Sequence, residues 1–337
     1  MSEYFRPILQ SGPARPSSSE TLAAGWTWFS HVEVLSRDRP PQIIPLPEVP
    51  KTVLNRLTAP RASCAEIDFA RPTVMGILNV TPDSFSDGGK HASLEAAVAG
   101  AQAMQAADIL DVGGESTRPG AQWVPPDEEI ARTAPVIAGL RAAGVRKPIS
   151  IDTRKASVAM AAVQAGATLV NDVSGFTYDA DLAPLCAKLQ VPVCVMHAQG
   201  DPATMQADPQ YDDVLLDVYD YLAARIEALT ALGISPAHII ADPGIGFGKT
   251  LDHNLALLAR LSLFHTLGVP ILLGASRKRF IGTISGAEKA TDRMPGSLAV
   301  ALAALKHGTQ IVRVHDVPQT AQAIALWRAV VAGEADG

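Results

Sequence analysis

Arg313 and His315 stand two residues apart in the run QIVRVHD (310–316). On a strand, residues i and i+2 project from one face, so both cationic side chains reach one ligand while Val314 faces away. A second cationic group, Arg277, Lys278 and Arg279, lies in ASRKRFIG (275–282), and its apolar flanks predict that at least one cation points inward. The loop DVGGESTRPGA (111–121) joins paired glycines to Glu115, Ser116, Thr117 and Arg118. Glycines let backbone N–H groups approach an oxyanion, and an arginine fork matches phosphate or carboxylate geometry. Together these segments suit a small anionic substrate.

Two further stretches bear on the chemistry. DPGIGFGKT (242–250) has Pro243 where a P-loop needs Gly, so it reads as a rigid loop below Asp242 with Phe247 as a wall residue. NVTPDSFSDGG (79–89) leaves the apolar run TVMGIL abruptly and predicts a mobile lid, solvated when open, with Asn79 at the strand top. The eight histidines are scattered and no HExxH occurs, which excludes a multi-histidine metal site. A metal would be Mg²⁺, held by substrate phosphates and one or two oxygen ligands, of which Asn79 is the candidate.

Residues placed in this way need a scaffold that brings distant strand ends together. From Thr73 onward, eight short apolar runs alternate with Ala- and Leu-rich helical stretches: 73–79, 109–114, 148–153, 167–173, 191–197, 238–244, 270–276 and 310–316. Each ends in a residue apt for chemistry: Asn79, Asp111, Asp152, Asn171, His197, Asp242, Ser276, and Arg313 with His315. That pattern predicts an α/β fold, a (β/α)₈ TIM barrel over 73–333 with its site at the C-terminal ends of the strands; a doubly wound open sheet is the alternative. Residues 1–72 hold ten of the 25 prolines and form an N-terminal extension, partly ordered at most, in which WTWF (26–29) and HVEVL (31–35) are expected to pair.

Composition narrows the partners. A net charge of −6 gives no basic field for nucleic acid. No apolar run approaches the roughly 20 residues of a membrane span, and the N-terminus lacks a signal-peptide pattern. Three cysteines without CxxC spacing read as buried thiols, and a cytoplasmic protein is expected.

NVTPDSFSDGG, GGESTRPGA, SIDTRK, VNDVSG, VMH, DPGIGFGK, GASRKRFIG and RVHD, met in that order, resemble the dihydropteroate synthases. The two long loop motifs set the chain apart from the related pterin-binding methyltransferase domains. The resemblance implies condensation of 6-hydroxymethyl-7,8-dihydropterin diphosphate with 4-aminobenzoate to dihydropteroate and pyrophosphate, on the route to folate. It also implies Mg²⁺, sulfonamide inhibition and a homodimer. Carried onto this sequence, it places Asp152, Asn171, Asp242 and Lys278 on the pterin, with Met196 and Gly274 lining the site. Asn79, Arg313 and His315 meet the diphosphate and its metal, and Thr117, Arg118, Pro119, Phe247 and Ser276 frame the acceptor. Asp152, Lys278, Arg313 and His315 form the implied catalytic set. Arg279 stands where many members have Ser, so the side-chain hydroxyl that the resemblance implies for the acceptor carboxylate is missing there, and backbone N–H groups at the following helix start are its expected substitute.

Overall fold

The structure, a computed structural model, describes residues 3–80, 90–116, 123–200 and 205–334. The lid expected at 81–89 and the loop residues Thr117, Arg118 and Pro119 lie outside them. The extension carries β1 (Tyr4–Pro7), β2 (Glu20–Thr21), β3 (Trp28–Phe29), β4 (His31–Leu35), β5 (Gln42–Pro45) and α1 (Lys51–Thr58). The barrel strands are β6 (Thr73–Asn79), β7 (Ile109–Gly113), β8 (Ile149–Asp152), β9 (Leu169–Asp172), β10 (Val193–Met196), β11 (Ile239–Asp242), β12 (Leu272–Leu273) and β13 (Ile311–Val314). Between and after them run α2 (Lys90–Ala103), α3 (Pro126–Ala142), α4 (Ala156–Gln164), α5 (Leu182–Leu189), α6 (Val214–Ala231), α7 (Leu251–Ala259), α8 (Arg279–Ser285), α9 (Met294–Lys306) and α10 (Val317–Ala332).

All eight strands pair in parallel in the order β11-β10-β9-β8-β7-β6-β13-β12. A parallel bridge between Ala241 and Ile271, with Ala241 N–H donating to Pro270 O at 2.9 Å, joins the two ends and makes the sheet a barrel rather than an open sheet. The seam is narrow because β12 spans only two residues.

Period two decides what fills the interior. Met75, Ile109, Leu169, Cys194, Ile240, Leu272 and Ile311 form one buried apolar cluster with Cys64, Ile67 and Phe69, which plug the barrel from the end of the extension. Two residues further along the strands come Asp111, Asn171, Met196, Asp242, Gly274 and Arg313. The barrel is thus oily at its closed end and polar at its mouth. A larger cluster, including Ile137, Leu140, Ile149, Ile151 and Phe264, fills the layer between strands and helices.

The extension holds more structure than its prolines suggest. WTWF and HVEVL do not pair with each other, since only Ser30 separates β3 from β4 and a hairpin needs a loop of about two residues. Instead β3 pairs with β2, and β4 lies between β1 and β5. Leu9, Leu22, Phe29, Val32, Leu46 and Leu57 give this layer a core of its own. Trp26 Nε1 donates to Leu305 O at 2.8 Å, Ser262 Oγ to Pro7 O at 2.9 Å and Arg61 Nη2 to His265 O at 2.9 Å, which ties the layer to the barrel wall. Phe29 has no exposed surface. Phe29→Ala is expected to lower the unfolding free energy by about 3–5 kcal/mol, read as one cooperative urea transition at a lower midpoint; two separate transitions would show an independent extension.

Candidate active site at the barrel mouth

The strand register sets Asn79, Gly113, Asp152 and Asn171 in one row across β6 to β9. Across the mouth stands Arg313, whose Nε donates to Asp111 Oδ2 at 2.6 Å and whose Nη2 donates to Asp152 Oδ2 at 2.7 Å. Asn171 Nδ2 donates to the same Asp111 oxygen at 3.5 Å. Burial pushes Asp152 up to about 7, against the pull of Arg313 and with a further push from Asp111. Burial also works against the charge on Arg313, but the two carboxylates outweigh it and the guanidinium is held more firmly protonated than usual.

Asp242 ends β11 with its carboxylate anchored by Gly244 N–H, which donates to Oδ1 at 2.7 Å. Burial raises its pKa, while Lys278, the Gly244 bond and Arg313 oppose the rise. A Cβ at position 274 would stand 3.6 Å from Asp242 Oδ2, so Gly274 keeps that oxygen open to a ligand edge. Lys278 is the inward cation expected of SRKRF. Its Nζ donates to Ile245 O and lies 4.5 Å from the Phe247 ring centroid, and burial lowers its pKa to about 8 against the pull of Asp242. The other two cations do not join it: Arg277 pairs with Asp316, and Arg279 is exposed at the start of α8.

His315 follows β13 on the Arg313 side, and its N–H and Nδ1 lie 3.2 and 3.1 Å from Ser276 Oγ. Met196 is buried beside the Gly244 turn, where a Cβ at 244 would come within 3.2 Å of its Cγ. The exposed Asn79 side chain borders the gap at Gly113, with Oδ1 3.9 Å from where a Cβ would be. Asp152, Asn171, Met196, Asp242, Phe247, Gly274, Ser276, Lys278, Arg313, His315 and Asn79 therefore gather at one end of the barrel.

Glu115 does not face a ligand. It is buried, accepts from Val124 N–H at 3.0 Å and sits 3.2 Å from both Arg154 and Lys155, whose Nζ also bonds Glu129 at 2.6 Å. Gly114 likewise serves packing rather than an oxyanion, because a Cβ there would meet Thr133 Cγ2 at 2.6 Å. This ion cluster anchors both sides of the second loop. The sequence reading missed it, and also missed Asp111 as the partner of Arg313 and Lys249 as a buried cation. For Asp111 a signal existed, because it follows Ile109 on the inward face by two residues.

Residues 75–315 match the family described as Pterin binding enzyme. The dihydropteroate synthase of Neisseria meningitidis serogroup B is 46% identical over 272 residues, 79% of this chain and 95% of that protein. The chain belongs to the dihydropteroate synthase family. A solved structure of the Xanthomonas albilineans dihydropteroate synthase with 4-aminobenzoic acid is 46% identical, covers 80% of this chain and 98% of that one, and superposes with a TM-score of 0.75. Another structure of the X. albilineans enzyme, in complex with 7,8-dihydropteroate, is 43% identical over 80% of this chain and 98% of that one, with a TM-score of 0.72. This chain is accordingly a transferase of folate synthesis.

Lys155→Met would strip Glu129 and Glu115 of their shared cation, and is expected to destabilise by about 3–5 kcal/mol at neutral pH. Burial already holds Glu129 above the usual carboxylate range. A raised carboxyl favours folding while protonated and loses that contribution as pH rises through its folded value. Urea unfolding below and above the carboxylate range should therefore show the penalty growing with pH.

Proposed function

We propose that this mouth binds 6-hydroxymethyl-7,8-dihydropterin diphosphate and 4-aminobenzoate and joins them with release of pyrophosphate. The observation that carries the residue assignment is the pairing of an anchored Asp242 carboxylate with an inward Lys278 beside the opening at Gly274. A pterin's amino-pyrimidinone edge presents adjacent N–H donors, which an ionised Asp242 accepts together. Lys278 donates to the pterin carbonyl and ring nitrogen, Asn171 adds a polar contact, and Met196 packs on the apolar ring face.

Loss of the diphosphate leaves a resonance-stabilised cationic pterin methylene. Asp152 stands by as the carboxylate nearest that charge, and burial keeps its pKa raised even with the Arg313 guanidinium beside it. Arg313 and His315 offer positive charge and hydrogen bonds to the departing diphosphate. The aniline nitrogen attacks such a cation without a strong general base. Phe247 and Ser276, with Thr117, Arg118 and Pro119 of the second loop, frame the acceptor.

Among the described residues no three His, Cys, Asp or Glu gather as a metal cage. A single exposed amide oxygen at Asn79 fits Mg²⁺ that arrives with the diphosphate and keeps most of its other ligands from substrate and water. When bound, Mg²⁺ supplies charge neutralisation on the leaving diphosphate. A homodimer is the assembly we favour, because Leu326 and Val330 on α10 are 66% and 72% exposed and Ile284 on α8 is 60% exposed. We place the protein in the cytoplasm; no described helix is long and apolar enough to cross a membrane.

Purified protein should release pyrophosphate only when Mg²⁺, pterin diphosphate and 4-aminobenzoate are all present; pterin binding without release would mark a non-catalytic paralogue. Asp242→Ala is expected to abolish pterin binding by calorimetry while the fold survives, and unchanged affinity would refute that assignment. Lys278 carries its proton below about 8 and loses it above. The kcat/KM for pterin diphosphate should therefore fall about tenfold per pH unit on the alkaline side, and Lys278→Met should have low activity without that limb.

A further inference from the structure

Lys249 ends the run DPGIGFGK and plays no part in the chemistry above. Its side chain is 3% exposed, yet no carboxylate among the described residues forms an ion pair with it. Its Nζ lies 2.9 Å from Gly244 O, 3.0 Å from Phe247 O and 2.8 Å from His197 Nδ1. Burial draws its pKa well below the ordinary lysine value, and three acceptors, as many as a protonated amine has N–H groups, surround it. Burial, and then Lys249 itself, push His197 down to about 2, so its imidazole is neutral, and in the tautomer that carries the proton on Nε2 its Nδ1 accepts from the amine. The His197 ring is itself oriented by Tyr221, edge-on at 4.8 Å.

Two of the three acceptors are the carbonyls at either end of the turn on which the site depends. The N–H of Gly244 holds Asp242 at 2.7 Å, and the Phe247 ring lies 4.5 Å from Lys278 Nζ. The turn's backbone is not pinned by conventional conformations: Gly244, Gly246 and Gly248 all have positive φ, at 68°, 82° and 61°. A side chain at 244 has no room, since its Cβ would fall 1.9 Å from His197 O. The turn is closed by Phe247 N–H, which donates to Gly244 O at 3.2 Å, and is braced by bonds from outside. Asn254 Oδ1 accepts from Gly246 N–H at 2.6 Å, Gly248 O accepts from Tyr211 at 2.7 Å, and Gln206 and Lys278 donate to Gly246 O and Ile245 O, but among the described residues only the Lys249 side chain bonds the carbonyls of both Gly244 and Phe247.

We propose that Lys249 is a positioning residue for the condensation: from beneath the turn it fixes the Phe247 ring as the acceptor's wall and keeps the Gly244 N–H on Asp242, while touching neither substrate. This rests on the reading that Phe247 frames the acceptor. Removing the amine frees the Phe247 carbonyl, lets the ring drift, and weakens the acceptor site first. The pterin contacts suffer less, because Asp242 remains fixed by its own strand.

The test is steady-state kinetics of the full chain carrying Phe247→Ala, Lys249→Met and both together, with thermal melts alongside. Phe247→Ala and Lys249→Met should each raise KM for 4-aminobenzoate about tenfold or more, with a smaller rise for pterin diphosphate. The double variant should be no worse than the weaker-binding single variant, because both changes act on one wall. His197→Gln, which keeps an acceptor for the amine, should restore most of the acceptor affinity that His197→Leu loses. Should Lys249→Met fail to fold, the His197 pair carries the comparison. A folded Lys249→Met or His197→Leu protein with the parental acceptor KM overturns the inference, and so do single-variant factors that multiply in the double. Phe247→Ala with an unchanged acceptor KM instead refutes the wall reading itself, and with it the route assigned to Lys249.

Discussion

The constraint on which the mouth of this barrel depends is that charges are placed where water is scarce. Asp111, Asp152 and Asp242 stand inside a ring whose lower half is hydrocarbon, and each is buried. Arg313 lies between the first two at 2.6 and 2.7 Å, and Lys278 exerts the largest attraction on the third. Isolated charges there would be costly, whereas a paired and hydrogen-bonded set is tolerable and leaves some charge unsatisfied for a ligand. The raised Asp152 and the lowered Lys278 are two faces of that burial.

Holding such a set requires support from behind the strands. The second loop is anchored on one side by Glu115 and on the other by Val124, both reached by Lys155, which also neutralises Glu129. The turn after Asp242 is held by Lys249, Asn254 and Tyr211. At the far end the extension places Cys64, Ile67 and Phe69 against the strand bases and packs around the helical segment that leads into the short strand β12. The shortest strand of the barrel is therefore approached through a segment that the extension covers.

Much of this was legible in the chain. The run TVMGILN became β6 residue for residue, and every other strand lies inside the run assigned to it, because β-branched apolar stretches bounded by Gly, Pro and Asp carry the signal locally. Where the reading went astray, the information was not local. WTWF and HVEVL looked like partners because they are adjacent, yet each found a strand from elsewhere in the extension. Glu115 looked like a site residue because of its loop, and is turned inward by two cations about forty residues away in sequence.

The sequence by itself determined which residues are available at the mouth, because strand period and the parallel barrel order put every second residue inside and every strand end on one side. It also determined the family, since the ordered motifs reach across the whole barrel. Only the tertiary structure decided how the charges share one another: that Arg313 spends its guanidinium on Asp111 and Asp152, that Lys278 alone of three cations turns inward, and that Lys249 bonds carbonyls rather than a carboxylate. The physical reason is range. Periodicity is written into neighbours along the chain, whereas the energy of a buried charge depends on whatever the fold brings within a few ångströms of it.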